Sequence, residues 1–287
     1  MTTTTAADPG LFGPDSVTWR IHSDPAMALA GFRALLLQAT HPVVMAGFSE
    51  NSVYRDDPWG RLQRTGDWVE TITFGTTRDA TRAGARLRGI HRKLQPLRDP
   101  VDGSLTRIDD PDLLLWVHVT EVESFLSTYR RCGGRLDAGD ADRYVREMQR
   151  SAEQVGLAPD AVPGTEAEIG KYYRRIRPQL RVSREARSAA WWGFVPPMPR
   201  WVRYATPARP AWAGLVATSA AMLPRWARRL YGLPALPTTD AAATAAGRCI
   251  RTAALTLPTR VRHSPAQREA YARVASSGHP HALHVVR

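Results

Sequence analysis

Lysine is nearly missing from this chain: of 39 basic residues only Lys93 and Lys171 are lysines. Arginine therefore supplies almost all of a formal net charge of +12 over 287 residues. With the abundant alanine, this composition points to a GC-rich coding bias rather than to a dedicated phosphate-binding surface. Summed positive charge does attract polyanions. No DNA- or RNA-binding motif accompanies it, so nucleic acid is not an expected partner, while contact with anionic cofactor groups or an anionic membrane surface stays open. Cysteine is scarce too. Cys132 and Cys249 are far apart and form no CxxC pair, which argues against a zinc site and a disulfide framework and makes a reducing, cytoplasmic setting the expectation. Long hydrophobic runs are absent. The longest, Ala211 to Leu223, lies between Pro210 and Pro224 and falls short of the roughly 20 residues a spanning helix needs. It reads as a buried helix or a surface-seeking hairpin. Met1 to Gly10 lacks a basic region followed by an apolar run, so no signal peptide is expected.

The familiar catalytic loops are missing as well. There is no GxxxxGK[ST], no GxGxxG after a strand, no HExxH and no GxSxG, which removes the minimal machinery of nucleotide binding, zinc proteolysis and serine hydrolysis. Alternating strand patterns are not seen either. What is present is helical periodicity in a chain whose hydrophobic fraction of 43% and charged fraction of 23% match a folded globular protein. One core with appendages is expected, an all-α single helical domain.

Residues 25 to 39 place Met27, Leu29, Phe32, Leu35 and Leu36 at helical spacing, with Asp24 as N-cap before Pro25. The chain turns at Thr40-His41-Pro42, because the residue before proline avoids the helical region. Val43 to Phe48 reads as a short helical turn and Ser49 to Pro58 as a polar loop. From Trp59 to Thr73, Arg61, Arg64, Thr65 and Trp68 recur at i, i+3, i+4 and i+7 on one helix face. Two guanidiniums, a hydroxyl and an indole suit the wall of a polar-rimmed pocket; a solvated face with one packed tryptophan is the alternative.

Thr77 to Leu94 reads as a long helix with His91 in its last turns. Counting back along its face gives Leu87, Gly84, Ala83 and Ala80. Small residues there let a flat object or another helix come close, with the imidazole reaching the object's centre. Spacing alone favours helix packing. Pro111 to Arg131 is a strong helix capped by Asp109 or Asp110, and Leu114, Leu115, His118, Val122 and Phe125 share its apolar face. Glu121 and Glu123 lie on it without a second carboxylate at metal-binding spacing. Further helices are read at Asp140 to Val155, Thr165 to Arg181, Arg184 to Trp192, Ala241 to Leu255 and Pro265 to Ser276, with Pro196 to Pro210 irregular. The histidines of the tail, His279, His281 and His284, read as a disordered end able to bind metal adventitiously. One well-placed histidine, polar groups and small-residue helix faces together suit a haem, whose iron accepts a neutral imidazole.

Four blocks in order carry a family resemblance: Leu35-Leu36-Leu37-Gln38-Ala39-Thr40-His41-Pro42, Asp57-Pro58-Trp59-Gly60-Arg61-Leu62-Gln63-Arg64-Thr65, Phe74-Gly75-Thr76 on to Arg88-Gly89-Ile90-His91, and Asp110-Pro111-Asp112-Leu113-Leu114-Leu115-Trp116-Val117-His118. Over roughly residues 17 to 235 the chain resembles the haem-dependent oxygenases that include rubber oxygenase and the MpaB-type enzymes. The resemblance implies a globin-like core around haem b in an oxygenase domain at 17–235; beside it, a flexible stretch at 1–16 and a helical extension and tail at 236–287 packed on the same domain are expected. It makes His91 the proximal iron ligand, with Nδ1 donating to a carbonyl or carboxylate, and places Arg61 and Thr65 on the distal side, hydrogen-bonding the oxygen species. Arg64 stands where rubber oxygenase has a lysine able to occupy the iron. A guanidinium is a very poor metal ligand, so no such closed state is expected and rubber cleavage does not carry over. Arg88 would pair a haem propionate, Gly84 and Leu87 would line the haem, and His41 and His118 are further pocket or propionate candidates. The expected substrate is a small apolar or semi-polar organic molecule. A non-catalytic haem sensor or carrier, and a cofactor-free helical protein of membrane surfaces, are the competing readings.

Overall fold

A computed structural model describes residues 7–51, 57–194 and 197–276. Among them the chain forms fifteen α-helices and one two-stranded hairpin, in which β1 (Leu97–Arg98) pairs antiparallel with β2 (Leu105–Thr106). It is an all-α single domain.

The long central helix α6 (Pro111–Arg131) starts where the Asp110 side chain accepts from Asp112 N and Pro111 occupies the first turn, a position where its missing N–H costs nothing. Trp116, Val119, Val122, Phe125 and Leu126 bury it in the main core. Helix α2 (Met27–Gln38) lies along it, and the buried Arg33 joins the two. Its Nη1 and Nη2 donate to the Glu123 carboxylate at 2.7 and 2.8 Å, and Nη1 also donates to Ser124 Oγ at 2.7 Å. On the other flank sit α7 (Asp140–Val155) and α8 (Glu166–Ile176). Helix α7 is bounded by Gly139 and Gly156, at φ 85° and 102°, left-handed conformations that cost glycine little.

Helices α4 (Pro58–Phe74) and α5 (Thr77–Lys93) form a helical hairpin joined at Gly75-Thr76. Helix α5 packs on α7, and α4 packs on α1 (Val17–His22) and α15 (Pro265–Ala275). A further layer is made by α3 (Pro42–Asn51), α9 (Arg184–Phe194), α10 (Arg200–Ala205), α11 (Ala208–Ala221) and α12 (Arg225–Tyr231). It continues with α13 (Pro237–Leu255), which packs on α11 and α6, and the short α14 (Thr259–Arg262). The segment beyond residue 235 thus contributes to the same body. Of the stretch 1–16, residues 7–16 are described, and they are tied down: Asp8 accepts from Thr77 N and from Arg273 at its carbonyl, and Phe12 packs on the core. The tail histidines lie outside the described residues.

Several boundaries differ from the sequence expectation. Asp24 is not an N-cap: it accepts from Ala26 N and pairs with Arg251 across the fold, so a tertiary ion pair takes the capping side chain. Helix α3 runs to Asn51 rather than stopping at Phe48. The proline-rich 196–210 region, expected to be irregular, holds α10 and the start of α11, because Pro199 and Pro207 stand immediately before helices rather than inside them.

Candidate functional site

Asp57 starts α4 by accepting from Gly60 N at 2.8 Å, with Pro58 in the first turn. From there the 3.6-residue repeat turns Arg61 and Thr65 inward. Arg61 Nη1 donates to Thr65 Oγ1 at 2.6 Å, and the Thr65 hydroxyl donates to the Arg61 carbonyl at 3.0 Å. The Arg61 guanidinium also lies over the Phe48 ring, 5.4 Å from its centroid, a cation–π arrangement. Burial, and then neighbouring Arg64, lower the Arg61 pKa, yet a guanidinium stays charged at any ordinary pH. Arg61 is thereby held as a fixed cation.

It stands on the wall of a cavity of about 170 Å³ between α2, α3, α4, α9 and α11. Phe32, Leu35, Met45, Phe48, Leu62 and Trp212 make the wall largely apolar. Several polar groups on it are already engaged: Tyr231 donates to Leu36 O at 2.7 Å, Gln38 to Val117 O at 3.3 Å, Trp212 to Gly193 O at 2.8 Å and Trp59 to Pro197 O at 2.7 Å. A chamber so built takes apolar molecules and presents a cation at one place.

Arg64 does not join Arg61 and Thr65. It is exposed and pairs with Asp57 at 3.1 Å, because a residue three positions on from Arg61 and one short of Thr65 sits at the solvent edge of their face. Gly84 does not line a cavity: a Cβ there would stand 2.8 Å from the Gln154 carbonyl, so the missing side chain at Gly84 serves the packing of α5 on α7, and Ala80 on the same strip is fully buried. Arg88 is committed to the same junction, donating to Gln154 O at 2.6 Å. Helix packing, the reading favoured by spacing, accounts for this half of α5.

Beyond it, half-buried Leu87 and His91 continue the same face. Buried His91 Nδ1 has no hydrogen-bond partner among the described residues, so the carbonyl or carboxylate acceptor expected from the sequence is not found. Burial lowers the His91 pKa and Asp109 opposes the shift; the ring is neutral near pH 7. Across from the hairpin, α6 is covered on most sides, but Leu114, Val117 and Glu121, at i, i+3 and i+7, are incompletely covered. Neither α4 nor α5 packs closely on α6 among the described residues. His118, one residue from this stripe, is buried and its pKa falls to about 4 through desolvation. His41 lies apart at the start of α3, its ring 6.2 Å from Trp116 and its Nδ1 likewise without a partner; burial lowers its pKa against Asp99 and Asp112.

The catalytic-domain family described as ER-bound oxygenase mpaB/B′/rubber oxygenase matches residues 19–274. The chain belongs to this family. No curated protein and no solved structure matches it. Membership makes the chain an oxygenase catalytic domain with a small-molecule substrate, and the match runs about forty residues past residue 235, where the resemblance read from the sequence ends. For this oxygenase family member, sequence reasoning reached Arg61 and Thr65 but not Phe48, Trp59 or Trp212 as cavity-wall residues, and it gave Glu121 no role. Burial raises the Glu121 pKa to about 7, in a recess shared with His22, Trp68, Thr73 and Ser151. His22 spans Thr73 Oγ1 at 2.8 Å and Tyr144 OH at 3.0 Å.

A raised carboxyl pKa favours the protonated folded state, so Glu121 lowers stability as pH climbs from the ordinary carboxylate value through about 7. Glu121→Gln mimics the protonated form. Its stability relative to wild type is expected to rise by roughly 2–3 kcal/mol between pH 5 and pH 8, read by urea unfolding. A difference that stays flat over that range would show that Glu121 is ordinarily ionised.

Proposed function

We propose that this oxygenase is haem b-dependent, and that His91 would hold the iron while Arg61 and Thr65 would serve the oxygen chemistry. The observation that carries this reading is the placement of His91 on the same helical hairpin as Arg61 and Thr65, with incompletely covered residues of α6 across from it. Among the described residues no three His, Cys, Asp or Glu side chains converge as a metal-binding group, whereas a single imidazole suffices for a cofactor that brings its other ligands. The residues fit the group. Haem, when bound, supplies the iron that activates dioxygen.

The chain's own residues set the surroundings of that chemistry. His91 is kept neutral by burial, so its lone pair is available without prior loss of a proton. Arg61 is locked by Thr65 and Phe48 and would offer a preorganised positive charge to negative charge developing on oxygen. Thr65 spends its own proton on the Arg61 carbonyl and acts by orienting the guanidinium. The apolar wall binds an apolar substrate and keeps water away. Arg64 and Arg88 are occupied elsewhere and are given no role in this chemistry.

The test starts with haem b titration into purified protein, followed by oxygen uptake with unsaturated hydrocarbon substrates. A Soret band should appear. Arg61→Ala should keep that band and lose about a hundredfold or more in turnover, the scale of removing one preorganised donor. Colourless protein that takes up no haem would overturn the reading.

A further inference from the structure

Three large aromatic side chains stand in solvent close together in the chain: Trp191, Trp201 and Tyr204, at 69, 69 and 73% exposure. Trp191 lies on α9; Trp201 and Tyr204, three residues apart, share a face of α10. Both helices pack on α11. Arg181, Arg184, Arg187 and Arg200 are exposed in the same segment, and between residues 181 and 212 Glu185 is the only acidic residue in the sequence. A solvated surface has no need of three exposed rings. Ordinary protein interfaces carry both signs of charge around their aromatic centre, whereas this rim is cationic.

The same segment forms the rim of the apolar cavity. The Gly193 carbonyl accepts from Trp212, the Pro197 carbonyl accepts from Trp59, and Ala189, Ala190 and Gly193 stand on the cavity wall beside both indoles. Among the described residues no single helix is long and apolar enough to cross a membrane, and α10 has only six residues. We infer that α9 and α10 form a peripheral docking surface for an anionic lipid bilayer. Tryptophan and tyrosine settle at the headgroup level, where an apolar body and a polar tip are both satisfied. The arginines meet lipid phosphates. Docking on this face brings the segment that walls the apolar cavity next to the bilayer, a source of apolar substrate. The docking surface stands whether or not the chain binds haem; only the delivery of substrate rests on the proposed oxygenase site.

The experiment is co-sedimentation of the full chain with vesicles of phosphatidylcholine alone and of phosphatidylcholine mixed with phosphatidylglycerol. Binding to the mixed vesicles is expected, weakening with added salt. The paired substitutions Trp201→Ser and Tyr204→Ser should reduce the bound fraction about tenfold or more, and Arg184→Glu with Arg187→Glu should abolish the preference for anionic lipid. Circular dichroism reports whether each variant folds. In the unsubstituted protein, quenching of tryptophan fluorescence by bromine-labelled lipid gives a second readout, and it should appear only with the mixed vesicles. No binding, binding undiminished by the aromatic substitutions, or a concentration-dependent dimer that those substitutions dissolve would overturn the inference, the last assigning this face to a second copy of the chain.

Discussion

Arg33→Ala is expected to cost the fold about 3–5 kcal/mol, the scale of breaking a buried ion pair from one side. Arg33 is 2% exposed and its guanidinium makes four hydrogen bonds: Nε donates to Met222 O at 3.0 Å, and the two Nη atoms engage Glu123 and Ser124. One side chain from α2 therefore ties α6 to the end of α11. Truncation leaves a void among packed residues and strips Glu123 of its counter-charge in a poorly hydrated place. Tyr173 OH, at 3.4 Å from Glu123 Oε2, is too distant to compensate. The Met222 carbonyl keeps its bond from Arg131 at 2.9 Å, and Glu123 retains 23% side-chain exposure, which hold the cost inside that range. Urea unfolding measures it. Arg33→Leu combined with Glu123→Leu should recover most of the loss, because removing both charges removes the desolvation penalty. A single-variant loss below about 1 kcal/mol would mean the pair is effectively solvated.

Where the fold was legible in the sequence, one strong local signal ruled. Helix α6 runs from Pro111 to Arg131 as its proline, cap and apolar face dictate, and α7 ends where Gly156 allows a left-handed residue. Local signals failed where distant residues compete. Asp24 carries a capping side chain, but Arg251 claims it. The same division holds for the candidate site. Arg61 and Thr65 could be paired from spacing because i and i+4 on a helix must meet, and they do at 2.6 Å. The strip Ala80–Gly84 was ambiguous for a physical reason: a face smooth enough for a flat cofactor is equally smooth for a helix, and only tertiary structure shows α7 there. The cavity wall was invisible because its parts are remote in sequence, with Trp59 meeting Pro197 across 138 positions. Glu121 was discounted for want of a partner carboxylate, when its enclosure beside His22 was the property that mattered.

His91→Ala should leave the helix intact and remove haem binding. Alanine is the best helix former, and His91 is half-buried near the end of α5 with no hydrogen bond to lose at Nδ1, so unfolding stability should change little. Haem affinity should drop by about a hundredfold or more, since changes merely behind a metal ligand cost up to that much. His118→Ala and His41→Ala supply the contrast. Both rings are neutralised by burial, as His91 is, so neutrality alone does not single out the ligand. The distinction lies in position: His91 is on the α4–α5 hairpin that carries Arg61 and Thr65, whereas His118 is on the facing helix and His41 packs toward Trp116. The two contrasting variants should keep the Soret band, and added imidazole should restore it to His91→Ala by occupying the vacated position. A Soret band unchanged in His91→Ala and lost in His118→Ala would move the ligand to α6.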